Sequence, residues 1–169
     1  MKRMFLGLLA ATAFTFSAYA QDIKPALLYD LGGKFDKSFN EAAFNGAEKF
    51  KTEAGVEYRE FEVTDEAQRE QALRRFAEDG RNPIVMAGFS WAASLEKVAV
   101  EYPDTKFAII DMVVDKPNVR SVVFKEEEGS WLAGMMAAMA SKSKTVSFVG
   151  GMDIPLIHKF ACGYIGGDK

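Results

Sequence analysis

The residues with chemistry to offer stand where short apolar runs end. Asp30 follows Pro25 to Tyr29, Gly88 and Phe89 follow Ile84 to Met86, and Asp111 follows Phe107 to Ile110. Phe39 and Asn40 open the segment after Gly32-Gly33. A carboxylate accepts hydrogen bonds from ring N–H and amino groups, and it repels phosphate, most strongly where solvent screening is poor. Asp111 comes after four apolar residues, where an unpaired carboxylate is costly if buried, so a ligand or backbone partner is expected for it. No lysine or arginine stands at the neighbouring run ends, and Lys34 and Lys37 belong to a loop where solvated lysines are the rule. This edge should therefore favour uncharged ligands over phosphorylated ones.

Bond-breaking chemistry has one candidate. Gly88-Phe89-Ser90-Trp91-Ala92 approaches the G-x-S-x-G nucleophile elbow, and Ser90, Asp111 and His158 occur in hydrolase order. The second glycine is replaced by Ala92, and no H-G-G-G-like oxyanion segment is present. A serine esterase is thus the alternative rather than the leading reading. Neither G-x-x-x-x-G-K-[ST] nor G-x-G-x-x-G occurs, so no phosphate-bearing cofactor is implied. His158 and Cys162 are four apart, but two ligands do not make a metal site.

The elements that must position these residues alternate. Strands are expected at Pro25 to Tyr29, Val56 to Val63, Ile84 to Met86, Phe107 to Ile110, Val119 to Phe124 and Val146 to Val149, the last ending at Gly150. Between them, helices are expected from the Ser38–Glu41 capping box to Gly55, over Asp65 to Asp79, Trp91 to Tyr102 and Glu127 to Ser141, with a last one from Pro155. Met135, Met136 and Met139 read as a core stripe of the fourth helix. This is an α/β pattern: a mainly parallel sheet with helices on both faces. In such sheets ligands lie beyond the carboxyl ends of the strands, which is where Asp30, Phe89 and Asp111 stand.

Composition sets the outer bounds. The 169 residues are 49% hydrophobic and 27% charged, an ordinary globular balance, and a net charge of −3 gives little attraction for nucleic acid. The lone Cys162 cannot form an internal disulfide. Lys2 and Arg3, the uncharged apolar stretch Met4 to Phe16, and Ala18-Tyr19-Ala20 read as a signal peptide over residues 1–20, cleaved after Ala20. The product is expected in the periplasm.

Four segments, Asp30 to Asn40 (DLGGKFDKSFN), Phe107 to Asn118 (FAIIDMVVDKPN), Phe124 to Gly134 (FKEEEGSWLAG) and Val149 to Ile157 (VGGMDIPLI), resemble in order the basic membrane protein family. These are purine nucleoside receptor A-like substrate-binding proteins of ABC importers. The resemblance implies a type I periplasmic-binding-protein-like lobe and a partner permease in the inner membrane, with no catalysis of the chain's own. It also implies that Phe39 stacks on a nucleoside base, that Asn40 and Asp111 hydrogen-bond its edge, and that Asp30 shapes the wall. Family members are about twice as long. Residues 21–150 are accordingly expected to be one lobe and 151–169 a crossover, with the second lobe largely absent.

Overall fold

The computed structural model describes residues 23–168, so the proposed signal peptide lies outside the described residues. Five strands form one sheet: β1 (Ala26–Tyr29), β2 (Arg59–Glu62), β3 (Ile84–Ala87), β4 (Phe107–Ile110) and β5 (Val119–Val122). Their order is β2-β1-β3-β4-β5 and every pairing is parallel, with Ala26 opposite both Arg59 and Ile84, and Phe107 opposite both Ile84 and Val119. The expected α/β class is what forms.

Alternation divides the sheet's side chains between two faces. Leu28, Ile84, Met86, Phe107 and Ile109 join one core with Leu73 and Phe76 of α2 (Gln68–Glu78) and Leu95 and Val98 of α3 (Ala92–Glu101). Leu27 and Val85, one residue out of phase, lie on the other face, where with Ala43 and Ala47 of α1 (Phe39–Ala54) they line a cavity. That helix stops where Gly55 turns left-handed, at φ 66°. Trp91, completely buried, ends a short 3-10 turn (Phe89–Trp91) that carries the chain from β3 into α3.

The remaining helices, α4 (Glu126–Ala140) and α5 (Pro155–Gly167), pack chiefly on each other. Their backbones touch. A Cβ on Gly134 would lie 2.0 Å from the Tyr164 carbonyl oxygen, one on Gly163 2.2 Å from that of Glu127, and one on Gly167 1.9 Å from that of Trp131. Only glycine fits at these crossings.

Two sequence-based expectations fail here. Met136 and Met139 are 61% and 81% exposed rather than core, because α4 meets α5 through its glycine-matched side and turns the methionines to solvent. Val146 to Val149 forms no strand, and Val149 is almost fully exposed. Strand-forming composition does not by itself make a strand: among the described residues β5 at the sheet edge has β4 as its partner, and Val146 to Val149 does not add to its open side.

Glycine substitutions on two helices should separate crowded from open positions. Gly163→Ala should destabilise the protein by about 1–3 kcal/mol, the usual cost of overpacking. Gly46→Ala in α1, where nothing lies within 4 Å of the new methyl, should stabilise it by about 0.5–1 kcal/mol. Denaturant titrations followed by helical circular dichroism measure both.

Candidate functional site

The strand order reverses direction between β1 and β3, so the connections leaving their carboxyl ends diverge and open a crevice there. Asp30 is the first residue past β1, Gly88 the first past β3 and Asp111 the first past β4.

Asn40, in the first turn of α1, builds the near wall. It is 2% exposed, and its amide is spent on the backbone: Oδ1 accepts from Asp30 N at 3.0 Å, while Nδ2 donates to Asp30 O at 3.0 Å and Gly33 O at 3.1 Å. The amide thus fastens the β1–α1 turn.

The expected capping box does not form. Ser38 makes no side-chain cap. Asp36, two residues earlier, accepts from the backbone N–H groups of Ser38, Asn40 and Glu41 with both carboxylate oxygens, which one hydroxyl cannot match. Glu41 reaches back to Lys37 N instead. Desolvation acts to raise the Asp36 pKa, but the bonds from Asn40, Glu41 and Ser38 outweigh it and lower it on balance. Phe39 begins α1, 36% exposed and outside the core cluster.

The far wall is set by Asp30 and Gly88. Asp30 Oδ1 accepts from Leu31 N at 2.8 Å and from Arg69 Nη2 at 2.5 Å. A Cβ on Gly88 would sit 2.6 Å from Asp30 Oδ2, and Gly88 holds φ at 106°, so neither the space nor the backbone admits another residue. Phe89 follows, half-buried. Arg69 corrects the expectation that no cation neighbours the acids. It comes from α2, across the sheet in sequence, and no periodicity marks it out from the solvated arginines of the same helix.

Asp111 differs from Asp30. It is half-buried in a left-handed conformation, φ 78°, with its N–H donated to Val122 O at 2.7 Å. Its carboxyl is pushed up first by desolvation and then by nearby Glu126, against a smaller opposing pull from Lys159. Glu126, buried at the start of α4, bonds Lys159 Nζ of α5 at 2.5 Å. Burial acts to raise its pKa, but Lys159 and backbone N–H groups, including that of Phe124, bring it below the usual carboxylate range. Lys159 also donates to Phe124 O at 3.1 Å. The Glu126–Lys159 pair had no signature in the sequence beyond an acidic helix start.

The esterase constellation does not assemble. His158 Nε2 is engaged by Asp153 Oδ1 at 2.6 Å on the exposed side of α5, and no contact couples it to Ser90 or Asp111 among the described residues. No helix among the described residues is long and apolar enough to cross a membrane.

Comparison with known proteins adds a family. The model for PnrA-like ABC transporter substrate-binding proteins matches residues 23–169. An uncharacterized lipoprotein of Pyrococcus furiosus is 36% identical over 98% of this chain and 43% of its own. An ABC transporter nucleoside-binding protein of Lactococcus lactis is 31% identical over 88% of this chain and 44% of its own. An ABC transporter solute-binding protein of Aeropyrum pernix superposes with a TM-score of 0.75 at 34% identity, covering 86% of this chain and 42% of that one. The chain spans about two-fifths of the length of the relatives it matches.

Asp111 carries a stability cost whose sign can be tested. An acid with a raised folded-state pKa adds stability only at low pH, and loses it as pH rises through that pKa. At pH 7, above the ordinary carboxyl value, the folded state therefore bears the cost of placing this acid in a poorly solvated position. Asp111→Asn keeps the shape and tolerates the left-handed backbone, so it should raise the melting temperature at pH 7. The gain should vanish at a pH below about 3.9, the ordinary carboxyl value. Thermal melts of both proteins across this range measure it.

Proposed function

The chain belongs to the PnrA-like family of ABC transporter substrate-binding proteins, and from that premise we propose that it forms one wall of a cleft that binds a purine-nucleoside-like molecule for import. The observation that carries the reading is the pairing of an exposed ring with a poorly solvated acid on one edge of the sheet. Phe39, the first residue of α1 and next to Asn40, leaves part of its side chain exposed. Asp111 offers a carboxylate that is desolvated and, among the described residues, receives no hydrogen bond in return. A flat base with ring N–H and amino groups satisfies both: it stacks on the ring and donates to the acid.

In this reading Asp30, Gly88 and Phe89 shape the pocket, and Asn40 holds the turn that presents Phe39. The name of the Lactococcus lactis relative, a nucleoside-binding protein, supports the ligand class. More than half of each relative's length lies outside the match, and we assign the opposing wall of the cleft to that remaining length. The liganded form would be delivered to an ABC permease on the outer side of the cytoplasmic membrane. An exported protein of this kind has no catalytic step of its own.

Ligand competition tests the charge of the site. Asp111 repels phosphate, so inosine should bind this chain at least about tenfold more tightly than inosine monophosphate, a difference of about 1.4 kcal/mol. Ligand-observed NMR titrations reach the weak affinities expected of a single wall. Equal or tighter binding of the monophosphate would remove Asp111 as a reader of the base.

Phe39 supplies an independent check. Phe39→Ala should cost about 1–3 kcal/mol of inosine affinity, the range for a base-stacking aromatic. Because the ring lies outside the core, the melting temperature should stay nearly unchanged. A drop in stability with normal affinity of the folded protein would return Phe39 to a packing role.

A further inference from the structure

Arg69 breaks three local rules at once. Its side chain is 6% exposed, although arginine is among the residues least often buried. It is the second residue of α2, where the helix dipole disfavours a cation. Its Nε is buried without a hydrogen-bond partner, and such an orphaned donor ordinarily destabilises a fold. Departures of this kind concentrate at functional sites.

The guanidinium has one strong engagement, the 2.5 Å bond to Asp30 Oδ1. Glu66, the other acid near it, is 3.8 Å from Nη1 and largely exposed. Its Cζ lies 5.8 Å from the centroid of the buried Trp91 ring, which fixes the plane on which the arginine rests. Stability alone does not account for the arrangement, because desolvating two ions offsets most of their attraction. What the pair achieves is geometric and electrostatic. Asp30 is held from three sides, by Leu31 N–H, by Arg69 and by the bare Gly88 backbone, and its negative charge is balanced at the mouth of the β1–β3 crevice.

We propose that Arg69 is a positioning and selectivity residue of this site, holding the Asp30 carboxylate in place and cancelling its charge. Beside β3 and β4 a bound molecule then meets Asp111 as the acid that no bonded cation offsets among the described residues, since Glu126 is balanced by Lys159. The proposal deepens the nucleoside reading and rests on it for the ligand. It assigns the degree of discrimination against anionic ligands to a residue of α2 that lies beneath the crevice.

Opposite substitutions make the test. Arg69→Gln leaves Asp30 unbalanced, so the preference for inosine over inosine monophosphate should widen at least about fivefold. Asp30→Asn leaves Arg69 unbalanced and should narrow the preference by a similar factor. The double variant should return it close to the parent value, and, having no unpaired ion, it keeps the test valid if either single variant folds poorly. A purely structural Arg69 would weaken both ligands together and leave the ratio unmoved, which overturns the proposal. Amide exchange at Leu31 is read in the same samples without ligand. It should accelerate at least about tenfold in Arg69→Gln as the Asp30 acceptor is released, and an unchanged rate also overturns the proposal. If the parent chain binds neither inosine nor its monophosphate, the nucleoside reading fails, and the Leu31 measurement still decides the positioning role.

Discussion

A single buried amide ties the end of β1 to the start of α1. Asn40 bonds both the N–H and the carbonyl of Asp30 and reaches the carbonyl of Gly33. Those groups lie past the end of the strand ladder and before the first helical turn, where no regular structure can satisfy them. Buried backbone groups left unpaired are expensive, so the turn has this shape or none. Every other feature of the crevice inherits its position from that fastening: the direction in which Asp30 leaves the strand, the point where α1 begins, and the outward placement of the Phe39 ring beside the stapling residue.

The charges around the crevice follow a consistent division. Asp30 and Glu126 are each matched by a cation brought from a different helix, Arg69 from α2 and Lys159 from α5. Asp36 is matched by backbone N–H groups. Asp111 alone of these four is left desolvated without a bonded partner. Three acids maintain the structure, and the fourth is the one with hydrogen-bonding capacity to spare. A molecule with N–H groups to donate meets that capacity, whereas a phosphate adds a second anion to it.

What could be read in the sequence was whatever depends on near neighbours. Phe107 to Ile110 is the strand expected, α5 begins at Pro155, and the alternation of strands with helices gave the parallel sheet and hence the edge where Asp30 and Asp111 emerge. The misses have a common origin in tertiary competition. Ser38 and Glu41 have capping-box spacing, but Asp36 has two oxygens and wins the same N–H groups. Val146 to Val149 has strand composition but joins no ladder among the described residues. Met136 and Met139 repeat at core-like intervals on a helix whose packing is decided by glycines on another side. Arg69 and Lys159 find their partners 39 and 33 residues away, a separation over which spacing carries no information.

The backbone contact between α4 and α5 has a mechanical meaning. Helices that meet through interlocked side chains can slide by swapping rotamers, whereas helices whose peptide groups rest directly on each other have nothing to swap. Such a pair transmits rotation as one rigid lever. It is tied to the short passage from β5 into α4, where Lys159 grips the Phe124 carbonyl and Glu126 together. A swing at that passage carries both helices through the same angle. Through the three glycines, a change of backbone direction next to Asp111 would be passed along the whole length of α5.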